Sequence, residues 1–135
     1  MIENHFDIMD MVVLNLDWQN GILTVLQEEN HLLRRFGQID IVNLESGQIM
    51  EFMRRHADEI WVLLDGQASL QMKDQRTDSP SFEALVEIEL NEKHPKAILV
   101  PFGVTSRVSA NGTASFLRIS THQELPDSDD HTLIV

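Results

Sequence analysis

Apolar and polar residues alternate with a period of two over many short stretches of this chain, and most stretches end at a turn signal, the pattern of half-buried β-strands. "MVVLNL" (11–16) and "GILTVL" (21–26) are separated by "DWQN", which ends in the turn pair Asn20-Gly21. "GQIDIVNL" (37–44) sets Ile39, Ile41 and Asn43 on one face and Asp40, Val42 and Leu44 on the other. After the turn "ESGQ", "IMEFM" (49–53) reads as a strand. "EIWVLL" (59–64), Asp65-Gly66 and "QASLQMK" (67–73) read as a hairpin, because Asp-Gly between two apolar runs suits a type I′ turn. "FEALVEIEL" (82–90) puts Val86, Ile88 and Leu90 opposite Glu87 and Glu89, and "AILVP" (97–101) is a short buried strand. Residues 102–120 read as a second hairpin about Asn111-Gly112. The intervening "DQRTDSPS" (74–81) is a loop, and "VLQEENHLLRRF" (25–36) is a weak helix candidate. Eight or more short strands separated by turns predict an all-β sandwich, jelly roll or barrel, and closing a sheet also disposes of its edges.

Length and composition narrow this picture. The 135 residues fit one domain, 1–135, whose residues 123–135 form an acidic surface segment. The formal net charge of −12 opposes phosphate backbones and anionic membranes, so neither nucleic acid nor a membrane is an expected partner. With no cysteine and no tyrosine, thiolate and phenol chemistry are excluded. The first basic residue is Arg34, so the expected location is cytoplasmic, without a basic secretory leader. No apolar run approaches the roughly 20 residues of a membrane span.

"GQIMEFMRRHADEIWVLLDG" resembles the first motif of the cupin superfamily, with Gly47 opening it, Glu59 at its acid and Gly66 closing it. The motif's two histidine positions fall on Met53 and Arg55. "PFGVTS" is similar to the second motif through Pro101 and Gly103, with Ser106 at its histidine position. Within the cupins, "GILTVLQEEN" resembles the dTDP-sugar 3,4-ketoisomerases. The segment from "DQRTDSPSF" through "PFGVTSRV", together with "TASFLRIS", resembles the dTDP-4-dehydrorhamnose 3,5-epimerases. The resemblance spans about residues 20–120 and implies a cupin-type jelly-roll β-barrel that forms a homodimer. It also implies lost chemistry: the epimerase lysine falls on Glu59, its histidine on Ser106 and its acid tyrosine on Arg118. "HAD" keeps His56 of the ketoisomerase His-Ala-His and replaces the second histidine by Asp58.

Three readings of the site follow. A family-type metal centre would retain only Glu59, and an arginine in the shell opposes a cation, so no metal and no cofactor are expected. A modified pocket would place Met53, Arg55, Glu59 and Trp61 on the inner face, with Ser106 and Arg118 joining from other strands. Arg55 and Arg118 would then grip a phosphate or carboxylate and Trp61 would stack on a sugar or base, while Glu59 or His56 moved protons next to a carbonyl. The plainer reading pairs Arg55 with Glu59 as a structural ion pair and leaves His56 on a solvated loop. The expected function is metal-independent binding of an anionic small molecule, a sugar or sugar nucleotide such as a dTDP-sugar, with epimerase or isomerase activity if there is turnover. The alternative is a non-catalytic cupin acting as a binding or assembly module, and a metal-dependent dioxygenase-type cupin stands third.

Overall fold

A computed structural model describes residues 2–3, 8–27, 30–53, 56–123 and 131–133. Its strands are β1 (Ile2–Glu3), β2 (Val12–Asn15), β3 (Trp18–Gln19), β4 (Ile22–Leu23), β5 (Gln38–Leu44) and β6 (Ile49–Met53). They continue with β7 (Glu59–Asp74), β8 (Leu85–Asn91), β9 (Lys96–Val100), β10 (Val104–Ser120) and β11 (His131–Leu133). All strand pairings among the described residues are antiparallel. No α-helix occurs among the described residues, so the stretch 25–36 does not realise its weak helical pattern there. None of the described residues forms a helix long and apolar enough to cross a membrane. Of the acidic C-terminal segment, residues 131–133 form the strand that borders β6, while 124–130 lie outside the described residues.

Two long strands organise the jelly roll. β7 and β10 pair along their whole length, and each serves two sheets in succession. The first half of β7 and the second half of β10 lie between β9 and β5, extended through β2 to β1. Their other halves lie between β8 and β6, extended to β11.

Neither of the two expected long hairpins exists, because their turn dipeptides are bulges inside these continuous strands. Ser115 faces Asp65 while Phe116 faces Leu63, which leaves Leu64 as an extra residue on β7. Ala110 faces Ala68 and Ala114 faces Gly66, so residues 111–113 of β10 oppose Gln67 alone. A type I′ turn needs positive φ at both central residues. Here Gly66 (φ 91°) and Gly112 (φ 88°) have it, whereas Asp65 and Asn111 do not. Asn20 (φ 53°) and Gly21 (φ 78°) both do, and this pair closes the two-residue hairpin β3–β4.

The inner faces of the two sheets enclose an apolar core. Trp61, Phe52, Phe116, Leu63, Leu70, Met72, Ile98 and Val108 are all nearly inaccessible within it. Val86, Ile88 and Leu90 face it as their alternation predicts. A second cluster, Leu14, Leu16, Leu32, Ile60, Val62, Ala97 and Ile119, lies on the outside of the first sheet, covered by Leu23, Val25, Leu26 and Leu33.

The loop after β7 is fixed by a buried carboxylate. Asp74 accepts hydrogen bonds from the Arg76 backbone N–H (3.0 Å) and Nε (2.9 Å), and from the Ser79 (2.9 Å) and Ser81 (2.5 Å) hydroxyls. Arg76 also donates to the carbonyl of Met9 at 2.8 Å, tying the loop to the N-terminal turn. Burial pushes the Asp74 carboxyl up, but the hydrogen bonds from Arg76, Ser81 and Ser79 outweigh it and hold it well below the usual carboxylate range. A carboxyl depressed on folding stabilises the fold above its unfolded pKa, roughly 4, and loses that contribution as acid protonates it. Asp74→Asn is therefore expected to lower stability by about 2 kcal/mol at neutral pH. Urea denaturation repeated below about pH 4 should show the gap between the variant and the parent chain narrowing as the pH falls.

Candidate functional site

Polar groups enter the core where β5, β7 and β10 run side by side. Arg118 stands opposite Trp61 on one neighbour and Asp40 on the other, and Ser120 stands opposite Glu59 and Gln38. Alternation turns Glu59, Trp61 and Leu63 inward with Ser120, Arg118 and Phe116, while Ile60, Val62 and Ile119 face the outer cluster. The Arg118 guanidinium donates to the Glu59 carboxylate through Nε and to Asp40 through Nη1 at 2.9 Å. The Ser120 hydroxyl reaches Glu59 at 3.4 Å, and the Gln38 amide donates to both Asp40 oxygens at 3.1 and 3.0 Å. Glu59 and Arg118 are almost fully buried, whereas the Asp40 side chain keeps 30% exposure, so the cluster opens to solvent through Asp40.

Phe52 is the apolar hub of this group. The Arg118 guanidinium carbon lies 4.5 Å from the centre of its ring, a cation–π distance, and Trp61 meets it edge-on at 4.8 Å. Phe116 meets the other side of Trp61 at 5.4 Å. Ser106 stands opposite Phe52 and Met72 on the second sheet and is fully buried. Two buried side-chain atoms find no hydrogen-bond partner among the described residues: the indole N–H of Trp61 and the hydroxyl of Ser106. Buried polar groups are rarely left unmet, so each orphan marks a place suited to a water molecule or a ligand atom.

The structure thus brings four of the expected site residues into one neighbourhood: Glu59, Trp61, Ser106 and Arg118. Met53 does not share their face. Met50 and Phe52 turn toward the core, which sends Met53 outward beside Thr105, whose hydroxyl meets its sulfur at 3.3 Å. Counting from the motif glycine therefore misses the inward register by one residue. Arg55 lies outside the described residues. His56 is exposed, apart from the buried cluster. Asp58 locks the start of β7: its carboxylate accepts from the Phe102 N–H at 3.0 Å and pairs with Arg34 at 3.4 Å, while its own N–H donates to Thr121 at 3.0 Å.

Sequence reasoning did not single out Asp40, Phe52 or Ser120. Asp40 carried a readable signal, an acid at a core-facing position in the alternation with Val42 and Leu44. Among the described residues, no three His, Cys, Asp or Glu side chains gather as metal ligands would.

Comparison with known proteins bears on the fold. No protein-family model and no curated protein sequence matches the chain. Solved structures do match. A dTDP-sugar isomerase from Desulfovibrio desulfuricans superposes with a TM-score of 0.81 at 13% identity, over 96% of this chain and 87% of its own. The dTDP-4-dehydrorhamnose 3,5-epimerase of Sulfolobus tokodaii gives 0.81 at 19% identity, over 99% and 81%. A 3′-monoepimerase from Streptomyces bikiniensis, solved in complex with dTDP, gives 0.79 at 11% identity, over 97% and 71%. The chain has the cupin-type jelly-roll fold of sugar-nucleotide epimerases and isomerases, as the sequence resemblance implied.

Proposed function

We propose that this jelly roll binds an anionic sugar or sugar nucleotide, a dTDP-sugar being the favoured class, at the inner-face cluster and without a metal ion. The observation that carries the reading is the pair of orphaned polar atoms, Trp61 Nε1 and Ser106 Oγ, in the core that also buries Arg118 and Glu59. A ligand entering past Asp40 would receive a hydrogen bond from the indole, exchange one with Ser106 and compete with Asp40 for the guanidinium. On this reading Arg55, which lies outside the described residues, stays a candidate holder of the anion, whereas Met53 turns outward beside Thr105 and is not part of the site. Glu59 is the candidate proton carrier for isomerisation or epimerisation beside a carbonyl, and His56 would have to swing inward to share that role. A homodimer belongs to the same reading: Ile39 and Ile41 expose 53% and 58% of their surface on the outer face of β5, which a second copy would cover.

One observation favours a second reading. The Arg118 guanidinium is already held by two carboxylates and stacked on Phe52, as in a purely structural pair, and this suits a non-catalytic cupin acting as a binding or assembly module.

Ser106→Ala separates the two. Deleting an unpartnered buried hydroxyl is expected to leave the fold as stable or to stabilise it by about 1 kcal/mol. On the first reading the same change weakens dTDP-sugar binding by about tenfold, the equivalent of one lost hydrogen bond. A thermal-shift panel of dTDP, dTDP-glucose and sugar phosphates on both proteins checks this. Silence across the panel supports the binding or assembly module instead.

A further inference from the structure

A cleft of about 470 Å³ lies between the β3–β4 hairpin and the turn that joins β8 to β9, and is lined by Asp17, Trp18, Lys93, His94, Pro95 and Lys96 among others. It is remote from the inner-face cluster. Glu59 is in register with Val100, and Lys96 begins the same strand four residues earlier, roughly 13 Å away along β9.

Three features set this cleft apart from the rest of the surface. The chain has only three lysines, Lys73, Lys93 and Lys96, and two of them line it, in a protein of net charge −12. Neither of those two forms an ion pair among the described residues, so their ammonium groups are not spent on a neighbour. Beside them Trp18 exposes 58% of its surface, whereas Trp61 is fully buried. The hairpin holding Trp18 is set by the Asn20-Gly21 turn, and the lysine turn is set by Asn91, whose side chain accepts from the Lys93 N–H at 2.9 Å and whose carbonyl accepts from the His94 N–H at 3.0 Å. The Pro95 carbonyl accepts from the Leu16 N–H at 2.9 Å, which ties the segment between β2 and β3 to the lysine turn.

We propose that this cleft is a binding site for a phosphate ester carried on a ring, with the ring on the Trp18 indole and the phosphate held by Lys93, Lys96 and His94. Two ammonium groups beside an imidazole supply positive charge and several hydrogen-bond donors that suit a phosphate or similar anion, and an exposed indole face accepts a sugar or a nucleobase. The Asp17 carboxylate on the same wall accepts from ring hydroxyls and opposes a bare, highly charged anion.

The two tryptophans give the test its readout, because each contributes one indole N–H signal in a ¹⁵N-correlated spectrum. Glucose 1-phosphate, thymidine monophosphate and inorganic phosphate are titrated into the full chain and into a Lys93→Ala/Lys96→Ala variant, with Trp18→Ala used to assign the two indole signals. At least one of the two ring phosphates is expected to move the Trp18 signal to saturation, and the one that binds more tightly identifies the ring. The double lysine variant should bind it at least about tenfold more weakly, with an unchanged Trp61 signal as proof of an intact core. A Trp18 signal that stays still with both esters overturns the proposal, as does inorganic phosphate moving it as far as they do. The inner-face reading is reported separately, by the Trp61 signal.

Discussion

Arg118→Met is expected to destabilise the chain by about 3–5 kcal/mol, a fall in melting midpoint of roughly 10–20 °C. The guanidinium is nearly inaccessible and donates to two carboxylates, of which Glu59 is equally buried. Methionine has nearly the volume to rest on Phe52, so the loss comes from taking the guanidinium away from two carboxylates, one of them buried, rather than from a cavity. Two consequences distinguish this cause from lost packing. Acidification neutralises the carboxylates that lost the guanidinium, so the gap between variant and parent should narrow at low pH. Adding Glu59→Gln should recover a large part of the loss, giving a favourable coupling between the two substitutions in a double-mutant cycle. A gap that stays constant with pH, together with additive single losses, would assign Arg118 a packing role instead.

The second large effect lies in the backbone. Gly66→Ala is expected to cost about 3 kcal/mol or more, because two penalties coincide. The residue has φ 91°, where an L side chain is strained, and its new Cβ would stand 2.2 Å from the Thr113 carbonyl oxygen and 3.2 Å from Ala114 Cα. Neither contact is with a flexible side-chain tip, so β7 and β10 would have to part where both strands change sheets. Gly112→Ala is the control. Gly112 has nearly the same φ, 88°, but nothing within 4 Å of the added Cβ, so only the conformational penalty of about 1 kcal/mol remains. Equal losses at the two sites would show that the close approach at Gly66 carries no weight. Chemical denaturation of the two single variants decides the matter.

The contrast between these glycines also explains what could be read from the chain alone. Alternation marks β5, β6 and β8 because each has one face on the core and burial imposes a period of two, whereas β2 and β9 are apolar on both faces and read only as short apolar runs. The pairs Asp65-Gly66 and Asn111-Gly112 misled because a hairpin turn and a β-bulge both select glycine for positive φ. Only long-range pairing tells them apart, and the partner strand lies some 50 residues away, as with Thr113 against Gly66. The same limit applies to the site. Glu59, Trp61, Ser106 and Arg118 could be nominated from motif positions and strand parity. Phe52 could not, since a register counted from Gly47 selects Met53, and only the pairing of β6 with β10 fixes which side faces in. Asp40 was visible as an acid on the buried face, but its partner Arg118 is 78 residues distant.

The most direct test of the inner-face site follows the Trp61 indole N–H during titration with dTDP-glucose. That proton has no acceptor among the described residues, so a ligand that supplies one should shift its signal downfield in a saturable way. This shift is expected in the parent chain, and in Ser106→Ala only at about tenfold higher ligand. A Trp61 signal that remains fixed through saturating dTDP-glucose and the rest of the nucleotide and sugar-phosphate panel would contradict it.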